Sequence, residues 1–150
     1  MPQSLAQVLV HLIFGTKGRQ PVIAKGFRPD LDAYLAGTFQ NLDSPAIAVK
    51  SVADHVHVLF RLSRTHAIAQ IVEEAKKGSS KWLKTKAPAL RNFHWQNGYA
   101  AFSVSQSRVK AGREYIENQE RHHERMSFQE EYRAFLGKHG VEFDERYVWD

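Results

Sequence analysis

The order in which strand-like and helix-like segments follow one another constrains the fold of this chain more than any other feature. Residues 7–15 (QVLVHLIFG) are rich in Val, Leu, Ile and Phe and end in the turn-prone stretch GTKGRQP, which predicts a first strand. Residues 45–53 and 55–62 are apolar, β-branched runs separated only by Asp54, the pattern of an antiparallel hairpin with a tight or bulged turn. Residues 99–104 (YAAFSV) predict a fourth strand.

Helical segments lie between and after these strands. Apolar residues recur at helical spacing over 29–42 and 67–85. Serines can cap a third helix over 108–123, and a short helix over 127–138 follows. The order βαββαβα plus a terminal helix predicts an α+β fold, a ferredoxin-like (RRM-like) sandwich with helices on one face of a four-stranded antiparallel sheet. The tyrosine-bearing third helix and the terminal helix follow it, and we expect residues 1–150 to form one domain.

Composition restricts the partners and the chemistry. The 150 residues carry 21 Lys and Arg against 16 Asp and Glu, a formal net charge of +5, which favours polyanionic partners. Because the chain has no cysteine, a metal site must be built from nitrogen and oxygen ligands. The apolar N-terminal run has no signal-peptide flanks, and no stretch reaches the roughly 18 apolar residues that cross a membrane. We therefore expect a cytoplasmic protein.

The basic residues are concentrated in one segment. Residues 76–91 (KKGSSKWLKTKAPALR) hold six basic residues and no acidic one, with Trp82 among them and Phe93 and Trp95 just beyond. Ammonium groups can contact phosphates while aromatic rings stack on unpaired bases, which favours nucleic acid as a partner. A solvated helix face explains the same run equally well. The candidate DNA contacts in this segment are Lys76, Lys77, Lys81 and Lys84.

Two histidines stand in an otherwise apolar strand, DHVHVLF. Because side chains alternate along a strand, His55 and His57 project from one face about 7 Å apart, while Val56 and Val58 fill the other face. Two imidazoles on one face can share a divalent ion. Histidines satisfied within the core would give the same pattern, so the spacing leaves both interpretations open.

A second group of polar residues lies in the third helix, REYIENQERHH. Tyr115 and Gln119 are four positions apart and share a face, and His122 or His123 could extend that stripe by one turn. An amphipathic helix whose tyrosine packs at the margin of the core is the plainer interpretation of this spacing. The amide oxygen of Gln119 is nevertheless a suitable ligand for Mg²⁺ or Mn²⁺.

The blocks DHVHVLF, WQNGYAAFSVS and REYIENQERHH resemble, in order and spacing, those of the single-tyrosine HUH transposases of bacterial insertion sequences, including REP-associated tyrosine transposases. The beginning VHLIFGTKGRQPVI and the ending VEFDERYVWD are also similar to that family, so the resemblance covers nearly all 150 residues. Ala53, where many relatives have proline, and the loosely matching NLDSPAIAV depart from the family pattern. Neither departure touches a candidate catalytic position.

The resemblance implies a mechanism for four residues. His55, His57 and Gln119 would hold a divalent ion, Mg²⁺ or Mn²⁺, that contacts the scissile phosphate, and Tyr115 would attack the phosphorus. The implied function is a transposase that cleaves and rejoins single-stranded DNA at hairpin-marked ends. Its intermediate would be a covalent 5′-phosphotyrosine beside a free 3′-hydroxyl.

The resemblance also implies partners. Members of the family work on single-stranded DNA that carries a small hairpin, and they are homodimers in which the tyrosine helix can complete the partner's active site in trans. Three further candidate DNA contacts flank the tyrosine, namely Arg108, Lys110 and Arg113.

For His122 and His123 we expect a structural role at the C-terminal end of the helix.

Two other functions remain compatible with these residues. A non-catalytic protein that binds DNA or RNA hairpins on the same fold would not need Tyr115. A small metal-dependent hydrolase would use water as its nucleophile and form no covalent species between protein and DNA.

Overall fold

The computed structural model describes residues 2–150, and they form a four-stranded antiparallel sheet. Its strands are β1 (Leu9–Gly15), β2 (Ala46–Ser51), β3 (His55–Arg61) and β4 (Ala100–Val104). The order across the sheet is β2-β3-β1-β4, so the two most apolar strands lie in its centre. The predicted hairpin between β2 and β3 is confirmed, with the Val52 amide donating to the His55 carbonyl (3.0 Å).

β1 and β3 are buried along almost their whole length because both faces of the sheet are covered. Every residue of β1 is buried, and in β3 only Arg61 is exposed. The register places Ile13 opposite His57 and Gly15 opposite His55. Burial on both faces explains why these strands are almost continuously apolar and do not alternate strictly with polar residues.

Within residues 2–150 the helices are α1 (Arg28–Asn41), α2 (Ile68–Lys84), α3 (Val109–Glu117), α4 (Gln119–His122) and α5 (Phe128–Lys138). Short 3₁₀ turns cover Lys17–Arg19, Lys25–Phe27, Pro88–Leu90 and Gln106–Arg108. α1, α2 and α5 each begin and end within one residue of their predicted bounds. None of the helices in this described part of the chain is long and apolar enough to cross a membrane.

The first face of the sheet packs against α1 and α2 and forms the main apolar core. The sheet contributes alternate residues of its two central strands to this core, namely Val10, Leu12, Phe14, Val56, Val58 and Phe60. From α1 the fully buried side chains are Leu31, Leu35 and Phe39. The predicted α+β, ferredoxin-like fold is therefore confirmed.

The second face of the sheet is covered by the helices that follow β4. Ile116 of α3 packs with Leu59, and Phe128 and Leu136 of α5 pack with Ile13. The C-terminal helices thus close the face of the sheet that α1 and α2 leave free. This face carries His55 and His57 of β3 and His11 of β1.

The prediction of a single helix over residues 108–123 is wrong, because the structure has two helices there, α3 and α4. Asn118 separates the two helices, with φ of −100° and ψ of 20°. Its side-chain amide donates to the Glu114 carbonyl (2.9 Å), a local bond of the kind by which Asn competes with helical hydrogen bonding. Glu120 then ties α4 to the first half of the chain through Arg28 (3.5 Å) and Lys50 (3.9 Å).

Gly15 is the position where the packing of α5 leaves no room for a side chain. A Cβ there would lie 2.6 Å from Cε2 of Phe128 and 3.2 Å from the Asp54 carbonyl oxygen. The Phe128 ring is itself fixed by stacking on His55, with 4.2 Å between ring centroids. We predict that Gly15→Ala lowers the free energy of unfolding by about 1–3 kcal/mol, measured by urea denaturation.

Gly37 provides the matched control for this substitution. It lies inside α1, and a Cβ there would meet nothing within 4 Å. Gly37→Ala should leave stability unchanged or raise it by up to about 1 kcal/mol through helix propensity. Equal unfolding midpoints for the two variants would contradict the predicted close packing at Gly15.

Candidate active site

His55 and His57 project onto the second face of the sheet, as the alternation of side chains predicts. Both side chains are fully buried, whereas Val56 and Val58 lie in the core on the first face. The two imidazole rings are 5.2 Å apart between centroids. His55 also contacts His123, with 4.5 Å between ring centroids. The pair therefore lies inside the protein, covered by the helices that follow β4.

Four side chains bring metal-binding atoms together at this pair. One donor atom from each of His55, His57, His123 and Glu131 lies within 4.8 Å of all the others. Oε1 of Glu131 is 2.9 Å from Nε2 of His57, 3.3 Å from Nε2 of His123 and 3.4 Å from Nε2 of His55. Imidazole nitrogens and a carboxylate oxygen are donors that divalent ions accept in the absence of thiolates. This group of three buried residues and the partly buried His123, called the His/Glu cluster below, could hold a metal ion.

Gln119 joins the His/Glu cluster from the first position of α4. Its Oε1 lies 2.8 Å from Nε2 of His123 and 3.2 Å from Nε2 of His55. Its Nε2 donates to Oε2 of Glu131 (3.1 Å). The amide oxygen therefore faces the imidazole nitrogens and is placed to act as a further oxygen donor.

Tyr115 reaches the His/Glu cluster from α3. Its hydroxyl donates a hydrogen bond to Oε2 of Glu131 and lies 3.1 Å from Nε2 of His122. Its ring is 6.0 Å from that of His57 between centroids. Tyr115 therefore lies beside the histidines and Glu131 of the same chain. The structure thus brings together Tyr115, His55, His57 and Gln119, which the sequence had singled out.

Two further side chains fix the orientation of the histidine pair. Nδ1 of His57 is 2.7 Å from Nε2 of the buried His11, and Nδ1 of His55 is 2.7 Å from Oδ1 of Asp54. Because Nδ1 of each ring is engaged in these outer contacts, Nε2 is left to face the interior of the cluster. Such outer contacts select the ring orientation and tautomer of metal-binding histidines.

The electrostatics of the cluster favour an ionised carboxylate and differ between the two histidines of the pair. Burial would lower the pKa of His55, but its hydrogen bonds to Asp54 and Glu131 raise it. Burial alone would raise the pKa of Glu131, but hydrogen bonds from His123, His55 and His57 hold that pKa far below its usual range. Burial lowers the pKa of His57 to about 4, against the opposing effect of Glu131. A deprotonated carboxylate and a neutral imidazole are the forms in which these side chains bind metals.

Tyr115 is held in its protonated form. Burial, followed by the hydrogen bond to the Glu131 carboxylate, raises the pKa of the phenol far above its usual value. A phenolate beside this carboxylate would place two negative charges together in a partly buried site. Any nucleophilic role of Tyr115 therefore requires that its proton be taken up as it reacts.

Sequence reasoning missed Glu131 and His11 and assigned His123 only a structural role. Glu131 belongs to the first turn of α5, where an acidic residue ordinarily faces solvent and the helix dipole. His11 stands in an apolar strand with no partner nearby in sequence, and only the pairing register with β3 brings it to His57. His123 does bond the Met126 carbonyl beyond the helix (2.7 Å), as a capping residue would, while its Nε2 enters the cluster.

The candidate DNA-contacting residues fall into two groups on opposite sides of the sheet. Lys77, Lys81 and Lys84 are exposed on α2, which covers the first face. Arg108, Lys110 and Arg113 are exposed at the start of α3, which covers the second face. Arg113 is paired with Glu117 (3.0 Å), an exposed i,i+4 ion pair of the kind that contributes little and leaves the guanidinium accessible. The two groups therefore cannot form one continuous contact patch.

Lys76 has a different role in the structure from its neighbours. Its ammonium group donates to the carbonyl oxygens of Gln96 (2.8 Å), Asn97 (3.3 Å) and Gly98 (2.6 Å), so it ties α2 to the segment before β4. Burial lowers the pKa of Lys76 to about 8. Since all three donors are engaged within the chain, Lys76 is not free to contact DNA in this conformation.

The expected stacking of bases on Phe93 and Trp95 is wrong. Both rings are buried in the main core, where each lies edge-on to the other at 4.8 Å between centroids. The indole nitrogen of Trp95 donates to the Ser79 hydroxyl (3.0 Å). Trp82 is half-buried and stacked on Tyr34, with 5.6 Å between ring centroids. The aromatic residues near the basic segment therefore fix α2 to its surroundings.

The chain combines an antiparallel sheet that carries paired histidines with a tyrosine from a later helix that lies beside them. Its family match makes it a DNA-processing enzyme. Residues 4–119 match the family described as "Transposase IS200 like", and the chain belongs to this family. The matched segment ends at Gln119, so it includes α3 but neither His123 nor α5. No curated protein matches the chain.

Two solved structures are similar to this chain. A crystal structure of a protein assigned as a transposase from Deinococcus radiodurans is 24% identical, with a TM-score of 0.62, covering 79% of this chain and 98% of that one. The structure of a REP-associated tyrosine transposase bound to a REP hairpin is 12% identical, with a TM-score of 0.59, covering 82% of this chain and 73% of that one. Both similarities concern the fold.

The contact between His11 and His57 generates a prediction about metal binding. His11→Phe keeps an aromatic ring in the buried space beside Phe135 but removes the bond to Nδ1 of His57. Outer partners of metal-binding histidines typically contribute 10- to 100-fold to affinity, and we expect a loss of about that size. Isothermal titration of the folded protein with Mn²⁺ measures this loss of affinity.

His94→Phe, at an exposed histidine outside the cluster, is the control and should bind Mn²⁺ as tightly as the parent does. Equal Mn²⁺ affinities for the two variants would contradict the prediction.

Proposed function

We propose that this transposase cleaves and rejoins single-stranded DNA through a covalent bond between Tyr115 and a 5′-phosphate. The observation that carries the proposal is the position of the Tyr115 hydroxyl, which is hydrogen-bonded to Glu131 at the edge of a buried group of metal-binding side chains. A tyrosine that only packs at the margin of a core needs neither a buried carboxylate nor converging imidazoles. Membership of the IS200-like transposases supports the same chemistry.

The proposed metal ligands are His55, His57 and Gln119, with His123 beside them. Their donor atoms converge in a buried space, and Nε2 is the atom that each histidine of the cluster directs inward, so the residues fit a divalent ion. Mg²⁺ prefers oxygen ligands almost exclusively, whereas Mn²⁺ also accepts imidazole, so Mn²⁺ suits this nitrogen-rich set better. When bound, the ion acts as a Lewis acid on a non-bridging phosphate oxygen.

The proposed reaction makes a specific demand on Tyr115. A phenol with a pKa near 10 is only about 0.1% ionised at pH 7, a deficit of roughly 4 kcal/mol, and burial here raises the pKa further. Two groups contact its hydroxyl, Glu131 and His122. Because the pKa of Glu131 is held far below its usual range, His122 is the proposed acceptor of the proton. As the proton leaves, the tyrosine oxygen bonds to phosphorus, the bond from phosphorus to the 3′-oxygen breaks, and the 3′-oxygen takes a proton from water.

The proposed intermediate explains how strands can be rejoined. One phosphodiester is exchanged for a phosphotyrosine ester of similar energy, so attack by a second 3′-hydroxyl restores the DNA without ATP. The sequence contains no Gly-rich phosphate-binding loop, in agreement with a reaction that consumes no nucleotide. We therefore propose a reversible strand transfer rather than hydrolysis.

The proposed substrate is single-stranded DNA with a hairpin. A similar fold is known bound to a REP hairpin, which supports a hairpin as the ligand here. The exposed Lys110 and Arg113 lie on α3, the helix that carries Tyr115, and the exposed Arg108 lies directly before it. We propose that these three residues contact the strand to be cleaved. The exposed lysines of α2 lie on the other side of the sheet and are proposed to contact the hairpin.

The proposed assembly is a homodimer of single-domain chains, residues 1–150. The contact of Tyr115 with His57 of its own chain would give chemistry in cis. Exchange of α3 between two chains would create the same contacts in trans, so both placements are compatible with a dimer.

Covalent capture tests the proposed reaction. Incubating the protein with hairpin-bearing single-stranded DNA and Mn²⁺ should give an adduct that survives denaturation, and Tyr115→Phe should abolish it. Tyr147→Phe, at an exposed tyrosine, is the control and should form as much adduct as the parent. Strand cleavage without an adduct would support the water-using hydrolase, whereas hairpin binding without cleavage in any substrate would support a non-catalytic binding protein.

Salt dependence tests the proposed DNA contacts. Each phosphate contact on a duplex such as a hairpin stem contributes about −0.9 to the slope of log affinity against log salt concentration, because counterions are released on binding. We predict that Lys81→Ala and Lys84→Ala each flatten the slope by about this amount. Arg146→Ala should leave it unchanged, because the C-terminal segment that carries Arg146 packs with α5 on the second face of the sheet, whereas Lys81 and Lys84 are exposed on α2, which covers the first face. If the lysine variants keep the parent slope, α2 presents only a solvated face.

A further inference from the structure

Glu131 lies at the meeting point of the histidines and the nucleophile, and it comes from α5, outside the segment matched to the family. We propose that Glu131 joins the metal centre to the nucleophile, with Oε1 as an additional ligand of the divalent ion and Oε2 as the acceptor that positions the Tyr115 hydroxyl. The inference rests on the proposed metal-dependent cleavage and adds a residue to it. It assigns to α5 a direct part in the active site.

The position of Oε1 supports the ligand role. It lies between the Nε2 atoms of three histidines, at 2.9 Å from His57, 3.3 Å from His123 and 3.4 Å from His55. The carboxylate is 1% exposed, so water does not compete for this oxygen. A cation held by the Nε2 atoms of the histidines would therefore meet Oε1 among its nearest oxygens.

The charge of the buried Glu131 carboxylate gives a second and independent reason to expect a cation beside it. A buried carboxylate costs several kcal/mol unless a positive charge compensates it. Among residues 2–150, the side chains within salt-bridge distance of Glu131 are His55, His57, His122 and His123, and none is a lysine or an arginine. A divalent cation supplies the permanent positive charge that these neighbours do not.

The position of Oε2 supports the positioning role. This oxygen accepts the hydrogen bond of the Tyr115 hydroxyl and a second one from Nε2 of Gln119 (3.1 Å). A carboxylate can accept at both oxygens at once, so binding an ion at Oε1 leaves Oε2 available to the tyrosine. Glu131 thereby sets the direction in which the tyrosine oxygen faces the centre.

α5 holds this carboxylate rigidly. Phe128, one turn earlier, stacks on His55 with 4.2 Å between centroids and 7° between ring planes. Tyr132 and Leu136 are buried in the same apolar cluster, and the Ser127 hydroxyl caps the helix by accepting from the Glu130 amide (3.2 Å). Glu131 is thus fixed on a packed helix, as a site that must hold reacting atoms in place requires.

Metal binding without DNA tests the ligand role separately from cleavage. We expect Glu131→Gln to weaken Mn²⁺ binding 10- to 100-fold in isothermal titration and to change the visible absorption spectrum of the Co²⁺-loaded protein. Glu130→Gln, at the exposed neighbouring carboxylate, should change neither result. Unchanged Mn²⁺ affinity in Glu131→Gln would overturn the proposal. Tighter binding would also overturn it, because Glu131 would then be a competitor that fills the site of the ion.

Two further measurements keep the test decisive. If Glu131→Gln fails to fold, Glu131→Asp is measured instead, which keeps the charge on a shorter side chain and should bind Mn²⁺ more weakly with an altered Co²⁺ spectrum. For the positioning role, adduct formation is followed in a single turnover at saturating Mn²⁺, where Glu131→Gln should be slower by at least 10-fold. If Glu131→Gln forms the adduct at the parent rate when Mn²⁺ is saturating, the positioning role is refuted. Failure to find any cleavable DNA would count against the proposed function but leave the metal measurements intact.

Discussion

The structure depends on one requirement, that a carboxylate and a group of imidazoles be buried on one face of a sheet without leaving polar atoms unsatisfied. Glu131 meets this requirement by accepting from histidines at one oxygen and from Tyr115 and Gln119 at the other. Each partner comes from a different part of the chain, so the cluster also fixes where α3, α4 and α5 lie. An unpaired charge in this position would cost more than most single contacts in the protein contribute.

The two faces of the sheet have different roles. The first face supports the fold, and the second carries the side chains of the candidate active site. The first face is an apolar core in which Phe14, Phe39 and Phe60 are fully buried, and it holds β1 and β3 in register. That register is what brings His11 of β1 to His57 of β3, because residues on one face of paired strands meet side by side. A rigid core on one face therefore sets the relative positions of the imidazoles on the other, to within the tolerance that a metal site needs.

The sequence predicted those features that follow from local periodicity. Alternation along β3 placed His55 and His57 together, and helical spacing linked Tyr115 with Gln119, although Asn118 breaks the helix between them. Glu131 could not be found in this way, because an acidic residue in a first helical turn is ordinary and its burial depends on how α5 docks. Lys76 shows the opposite error. Its charge indicated a partner outside the chain, whereas three backbone carbonyls of the same chain bind it.

In the proposed homodimer, the same contacts would decide how the active site is shared between two chains. α3 brings Tyr115 to Glu131 of α5, so moving α3 to a partner exchanges each of these hydrogen bonds for an identical one and leaves their total energy nearly unchanged. Gln119 makes the exchange harder, since it begins α4 and bonds His55, His123 and Glu131 at once. In such a dimer, Tyr115 and Gln119 would have to move together to keep all of these bonds. The exchange would then act on the connection from β4 to α3, where Gln106–Arg108 form an exposed turn with no buried residue to hold it.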